Sequence, residues 1–248
     1  MIVKEVTAKQ ILSPSKVADY TINPYTGCAH GCTYCYARFM KRYTRHWEPW
    51  GRFVDVKINA PRLLQQELRK RREGKVWISG VCDPYQPLEA QYRLTRGCLS
   101  ILVLYDWPLT IQTKSPLILR DIDLFQQFTE CTVGLSITTA DDNVRRLFEP
   151  NAPSISQRLD ALSRLHSAGL HTFTMIAPLL PGADQLIPHL KGHVDYVLID
   201  RMNYHYADWV YRKHQLEHAL SPAFLQQNKV ALANASRKAG IPFQFLFN

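Results

Sequence analysis

Short runs rich in Val, Ile, Thr and aromatic residues recur at 20–23, 54–58, 76–79, 109–113, 133–138, 172–177, 196–199 and 243–247. Runs of this length and composition predict strands. Between them, 61–72, 94–105, 117–128, 156–168 and 222–239 repeat their apolar positions at helical spacing. In the fourth of these helices Ser156 is a candidate cap, Leu159, Leu162 and Leu165 define the buried stripe, and Gly169 stops it before the next strand. The chain closes in the same order, with a helix that stops at Gly240 followed by 243–247. Strands alternating with helices predict an α/β fold with a parallel sheet. There is no linker, low-complexity tract or clear internal repeat, so a single domain is expected over 1–248. Its core is a partial or closed (β/α) barrel from about 17 onward, after a short N-terminal extension, 1–16.

The 248 residues, 46% of them hydrophobic, suffice for one substantial core but not for several enzyme-sized domains. No run approaches the roughly 18 to 20 consecutive apolar residues of a membrane span, and the N-terminus lacks a signal-peptide layout, so a soluble cytoplasmic protein without a membrane partner is expected. The formal charge of +9 is unevenly placed: residues 1–80 hold 15 Lys/Arg against 6 Asp/Glu, and 81–248 hold 15 against 15. Much of the excess lies in 38–52, where five Arg/Lys and a single acid are interleaved with Phe39, Tyr43, Trp47 and Trp50. Such a mixture can neutralise phosphates and stack on bases. Equally, Trp47 and Trp50 beside Pro49 can shield a neighbouring site while the arginines reach for water. The basic run 69–72, flanked by Glu67 and Glu73, reads as the solvated face of a surface helix. A second aromatic group, Tyr204, His205, Tyr206, Trp209 and Tyr211, either walls a substrate cavity or packs beneath the barrel.

Six cysteines are too few to staple a small secreted fold, and three of them fall in one eight-residue window, Cys28-Ala29-His30-Gly31-Cys32-Thr33-Tyr34-Cys35. This C-x3-C-x2-C triplet follows the first candidate strand, with Gly27 and Gly31 free to take positive φ and curl the loop around a cluster. Three cysteines on a four-iron cluster leave one iron open to bind something else, whereas a structural zinc would require a fourth donor such as His30 or Cys82. Cys98 and Cys131 are scattered over other elements and read as small buried residues.

The triplet, and the wider text Tyr20-Thr21-Ile22-Asn23-Pro24-Tyr25-Thr26-Gly27-Cys28 through Cys35-Tyr36-Ala37-Arg38, resemble the radical S-adenosylmethionine superfamily, in its spore photoproduct lyase-like branch related to DNA repair photolyases. The likeness continues through Ser79-Gly80-Val81-Cys82-Asp83-Pro84 as far as Glu89, Thr113-Lys114-Ser115-Pro116 as far as Asp121, Leu135-Ser136-Ile137-Thr138 and Glu149-Pro150-Asn151 as far as Arg158. It implies a barrel enzyme with one [4Fe-4S] cluster and S-adenosyl-L-methionine as cofactors. The reduced cluster would cleave the sulfonium to a 5′-deoxyadenosyl radical, which takes a hydrogen from the substrate. An external low-potential electron donor such as a flavodoxin or ferredoxin is implied as partner, and a nucleic acid lesion or modified nucleotide as substrate.

Residue by residue, the resemblance makes Cys28, Cys32 and Cys35 the metal ligands. Tyr34 becomes the residue whose main chain meets the adenine, and Lys114 and Ser136 the pair that holds the cofactor carboxylate. Cys82 falls where the lyases carry a serine near the cofactor amino group, and is a cofactor contact, a weak candidate for a catalytic thiol, or a small buried residue. The hydrogen-donating cysteine of the lyases falls at Gly80, which departs from their pattern and puts their own reaction in question here. Glu89 either orients a polar group of cofactor or substrate or caps the following helix, and Glu149 with Arg158 reads as a structural pair or a helix-end feature, with a cofactor contact as the other reading. Two other function classes remain: a non-catalytic iron-sulfur protein that binds nucleic acid, and a radical enzyme acting on a small molecule or peptide.

Overall fold

The computed structural model describes residues 1–247. The chain divides into two compact units, one of Met1–Gly31 with Ala37–Val133 and one of Cys32–Tyr36 with the residues from Gly134 onward.

In the first unit, β1 (Ile2–Val6), β2 (Leu12–Pro14), β3 (Tyr20–Ile22) and β4 (Tyr25–Thr26) precede the cysteine loop, and β5 (Phe53–Lys57), β6 (Val76–Ile78) and β7 (Leu109–Thr113) follow it. β3, β6 and β7 are mutually parallel, with β2 added antiparallel to β3. Ile22, Val76, Ile78, Leu109 and Ile111 are all fully buried, as expected of a parallel sheet covered on both faces. The helices α1 (Ala60–Leu68), α2 (Glu89–Tyr92), α3 (Leu94–Val103) and α4 (Ile122–Phe125) belong to this unit.

The strand expected at 54–58 forms, but in a separate sheet: β5 pairs parallel with β1 and antiparallel with β4. The expected extension 1–16 therefore supplies two strands, β1 and β2. β1 was not legible because four of its five residues are exposed, so no buried alternation marks it. The basic run 69–72 is exposed, and it lies just past the end of α1 rather than on it.

In the second unit the sheet order is β8 (Cys131–Ser136), which enters from the first unit, then β9 (His171–Ile176), β10 (Tyr196–Ile199) and β11 (Phe243–Phe245). β9, β10 and β11 are parallel. Its helices are α5 (Asp142–Phe148), α6 (Ile155–Ser167), α7 (Ile187–Leu190), α8 (Asp208–Lys213) and α9 (Pro222–Ala239).

α6 is capped by Ser154 rather than Ser156. The Ser154 Oγ accepts from the Gln157 N–H at 3.3 Å while Gln157 Oε1 accepts from the Ser154 N–H at 3.0 Å. Only Ser154 has a glutamine three residues on, which is what this reciprocal cap requires. Gly169 (φ +79°) and Gly240 (φ +71°) follow α6 and α9 in the left-handed region, as their stop positions anticipated. The helix expected over 117–128 is shorter: Pro116–Asp121 winds as a 3-10 turn and draws the Asp121 carboxylate inward, where Tyr85, Arg96 and Arg120 donate to it.

Among the described residues no helix is long and apolar enough to cross a membrane.

Candidate cluster site

The chain leaves β4 at Thr26 and enters the cysteine loop through Gly27, whose φ of +90° and approach to the Phe53 carbonyl exclude any side chain: a Cβ there would lie 2.4 Å from that oxygen. Two tight turns follow. The Gly31 N–H donates to the Cys28 carbonyl at 3.3 Å, and the Cys35 N–H to the Cys32 carbonyl at 3.2 Å. Cys28 and Cys32 are each 7% exposed and Cys35 is part-buried. All six cysteines are thiols rather than disulfides. Among the described residues no three His, Cys, Asp or Glu side chains gather around a single ion position. Soft, largely buried thiols in tight backbone turns suit an iron-sulfur cluster, in which each thiolate binds its own iron.

The first unit secures its part of the loop through buried polar side chains. Fully buried Gln86 accepts from the Ala29 N–H at 2.9 Å and donates to the Gly27 carbonyl at 3.2 Å. His30, 2% exposed, sets its Nε2 3.3 Å from Asp83 Oδ2. Asp83 also accepts from Thr113 Oγ1 at 2.5 Å and from the Lys114 N–H at 2.9 Å. Burial by itself pushes the Asp83 carboxyl up, but His30, the Thr113 hydroxyl and the Lys114 N–H together reverse this and hold it well below the usual carboxylate range. Asp83 thus stays ionised and ties the loop to the end of β7, where Lys114 stands. Gln86 and Thr113 were not singled out from the sequence, although both lie within motifs that carry the family resemblance.

A second support is a backbone contact. Gly51, at φ +89°, lies against the loop so closely that a Cβ would come 2.6 Å from the Gly31 Cα. Its neighbour His46 is clamped between Glu48 (3.0 Å) and Asp55 (2.8 Å) and stacks on Phe53 with ring centroids 4.2 Å apart. Gly51→Ala therefore has both an unfavourable φ and a backbone collision, and is expected to cost about 1–3 kcal/mol. It should also cut the iron retained after anaerobic reconstitution by at least half. Gly192→Ala, at φ +80° with nothing within 4 Å, carries the strain alone and should keep its iron. Equal iron content in the two variants would remove Gly51 as a support.

The second unit holds the rest of the loop. The Thr33 N–H and hydroxyl both donate to the Phe148 carbonyl, at 2.8 and 3.2 Å. Tyr34 packs against the cluster formed by Phe148, Leu180, Val210 and Tyr211, and its hydroxyl donates to Glu149. Burial, the Glu149 charge and Cys32 push the Tyr34 hydroxyl well above its ordinary pKa, so it remains a donor. The same carboxylate accepts from Thr138 Oγ1 at 3.0 Å and pairs with Arg158 at 2.5 Å, both partners being fully buried. Arg158 donates onward to the Ser136 carbonyl at 3.0 Å. Glu149 and Arg158 are thus a structural pair, and a larger device than the sequence indicated: they connect Tyr34 to the end of β8.

Lys114 is part-buried and follows β7, and Ser136, 4% exposed, is the last residue of β8. Cys82 packs against Tyr25, Val54, Val56 and Leu94, and burial pushes its thiol up to about 11. Glu89 is fully buried and accepts from the Thr95 and Arg96 N–H groups at the start of α3, from Arg120 at 2.7 Å and from Tyr25. Its carboxylate caps a helix, the second of the two roles weighed for it.

Residues 22–185 match the Radical SAM superfamily. The chain is 36% identical over 204 residues to an uncharacterized protein of Methanocaldococcus jannaschii, covering 80% of this chain and 77% of that protein. It is 35% identical over 180 residues to an uncharacterized protein of Mycobacterium tuberculosis, of whose length it spans 52%, with 69% of this chain aligned. Among solved structures it is similar to spore photoproduct lyase complexed with dinucleoside spore photoproduct, with a TM-score of 0.70 at 16% identity over 98% of this chain and 82% of the lyase. That likeness extends over nearly every residue and agrees with the parallel α/β strands described above, which makes the fold the partial barrel of radical enzymes. The chain belongs to the radical SAM superfamily: it is an enzyme whose cofactors are a [4Fe-4S] cluster and S-adenosylmethionine and whose chemistry is the reductive cleavage of that sulfonium.

Proposed function

We propose that Cys28, Cys32 and Cys35 hold the cluster and that the enzyme acts on single-stranded nucleic acid, at a lesion or modified nucleotide. When bound, the cofactors supply a 5′-deoxyadenosyl radical that takes a hydrogen atom from the substrate. The chain's own residues bind and orient. The Tyr34 side chain is anchored inward on Glu149, which leaves its main chain to meet the adenine. The Lys114 ammonium and the Ser136 hydroxyl hold the cofactor carboxylate by charge-assisted hydrogen bonds. Asp83 fixes the Lys114 backbone for that contact. Cys82 is the least supported of the cofactor contacts, being a protonated thiol among apolar neighbours. The electron comes from a low-potential donor protein of the flavodoxin or ferredoxin class.

The observation that carries the substrate class is the surface of 38–52. Its aromatic residues divide into two sets. Trp50 and His46 pack onto Phe53, whereas Trp47 is 93% exposed and Tyr43 70% exposed. The outward pair sits among cations: Arg42 lies 5.5 Å from the Phe39 ring and 5.7 Å from the Tyr43 ring, and Lys41 Nζ donates to the Trp47 carbonyl at 2.8 Å. An indole so exposed serves no core, and so is not the cover that the sequence allowed. Together with Arg42 and Arg45 it offers stacking faces and phosphate neutralisation side by side.

Fluorescence anisotropy with labelled single-stranded DNA and RNA oligonucleotides of about a dozen residues tests this. Binding should weaken steeply with salt. Tyr43→Ala combined with Trp47→Ala should weaken it about 10- to 100-fold, since each stacked base contributes about 1–3 kcal/mol. Absence of binding at low salt, or binding indifferent to both salt and these substitutions, would overturn the reading.

A further inference from the structure

The cysteine loop carries one buried side chain whose polar atoms the fold does not fully use. His30 is 2% exposed, and its Nδ1 has no hydrogen-bond partner. The N–H groups on either side of it are spent elsewhere, that of Ala29 on Gln86 and that of Gly31 on the Cys28 carbonyl. A buried polar atom left in this way is costly until something arrives to pair with it.

The other ring nitrogen decides what Nδ1 can do. Nε2 stands 3.3 Å from Asp83 Oδ2, and an ionised carboxylate only accepts, so the ring proton belongs on Nε2. In the neutral ring Nδ1 is then a bare acceptor. Thiolates and cluster sulfides have no proton to give, so a bound cluster leaves this lone pair unanswered, and its partner must bring an N–H or O–H. The same Asp83 Oδ2 accepts from the Lys114 N–H at 2.9 Å, while Oδ1 accepts from Thr113 Oγ1 and from the Tyr85 N–H. One carboxylate oxygen thus ties the histidine ring to the backbone of the residue proposed to hold the cofactor carboxylate. An α-amino acid bears its carboxylate and its amine on one carbon, so the group that holds the one stands beside the group that holds the other. The amine is a donor, and it keeps N–H hydrogens even when its lone pair is given to a metal.

We propose that the His30 Nδ1 accepts a hydrogen bond from the α-amino group of S-adenosylmethionine, which makes His30 a cofactor-binding residue and Asp83 the group that orients it. This rests on the reading that Lys114 holds the cofactor carboxylate and adds the holder of the amine. It gives a use to the histidine of the loop, which the sequence offered as a fourth zinc donor and which stands against Asp83 instead.

Equilibrium binding of S-adenosylmethionine to anaerobically reconstituted protein, with iron measured on the same samples, supplies the test. In His30→Gln the amide reaches the place of Nε2 and can still donate to Asp83, but nothing accepts at the place of Nδ1. This variant should keep its iron and bind the cofactor about 10-fold more weakly. In His30→Asn the amide oxygen stands near the place of Nδ1, and affinity should stay within about 3-fold of the wild-type. The deamino analogue, with hydrogen in place of the α-amino group, should not distinguish the wild-type from His30→Gln. If His30→Gln and His30→Asn weaken binding alike, or the analogue loses as much affinity for His30→Gln as the cofactor does, the amine is not the partner and the assignment is overturned. If both variants lose iron, His30 is a support of the loop, which overturns it too. Lys114→Met separates this from the reading beneath it. Binding by Lys114→Met as tight as the wild-type sinks the carboxylate contact on which the assignment rests, whereas weak binding by Lys114→Met with unchanged affinity in His30→Gln overturns the role of His30 alone.

Discussion

Alanine at any one of Cys28, Cys32 or Cys35 is expected to reduce iron from about four per chain to below one after anaerobic reconstitution, and 5′-deoxyadenosine formation to background. Each thiolate holds a separate iron, so no remaining ligand can substitute for a missing one. Alanine at Cys82, Cys98 or Cys131 should retain the iron. Burial pushes those thiols to about 11 at Cys82, to about 12 at Cys131 and upward at Cys98, so none of them supplies a thiolate at neutral pH. Cys98 is fully buried on α3, and its replacement is expected to cost packing rather than metal. Iron and sulfide analysis of the six single variants checks the division. Retention of the cluster by Cys28→Ala, or zinc in place of iron in the wild-type, would sink the assignment.

The strands at 109–113 and 196–199 were legible in full because each is a short run rich in apolar, β-branched and aromatic residues in a covered parallel sheet. The 222–239 helix was equally clear, since Ser221 and Pro222 open it and Gly240 closes it. α2, α5, α7 and α8 were missed because four to seven residues are too few to establish a helical period. β5 was recognised as a strand but its partners were not: pairing with β1 and β4 depends on which edges come together, and one strand's composition does not encode that. The site divides along the same line. The cysteine spacing is local and could be read directly. The supports are not local: Gln86 reaches Ala29 across 57 positions and Glu149 reaches Tyr34 across 115, and only the folded chain brings them together. The aromatic groups at 38–52 and 204–211 each looked uniform in sequence. Each separates into inward and outward members: Trp50 packs on Phe53 while Trp47 is exposed, and Tyr211, on α8, is buried while Tyr204 and Tyr206 are exposed.

Arg158→Met should be the most destabilising substitution away from the cysteines. It leaves the Glu149 carboxylate buried without its cation, and the loss of one partner of a fully buried pair costs about 3–5 kcal/mol. At about 2–4 °C per kcal/mol for a chain of this size, thermal unfolding should shift down by about 6–20 °C. Glu149→Leu combined with Arg158→Met removes both charges and should recover part of that loss. The rescue should not extend to the cofactors. Without the carboxylate the Tyr34 hydroxyl has lost the acceptor that draws its side chain inward, and the turn between Cys32 and Cys35 loses one of its anchors to the rest of the second unit. The double variant is therefore expected to be more stable than Arg158→Met yet to bind S-adenosylmethionine more weakly than the wild-type. Tyr34→Phe, which deletes one hydrogen bond to a charged acceptor, should reproduce the weaker binding at a stability cost of only about 1.5–3 kcal/mol. Equilibrium binding of S-adenosylmethionine and thermal melts on the same preparations separate the two effects. Were stability and cofactor affinity to rise and fall together across these variants, Glu149 would be a fold-stabilising residue alone, with no part in positioning Tyr34.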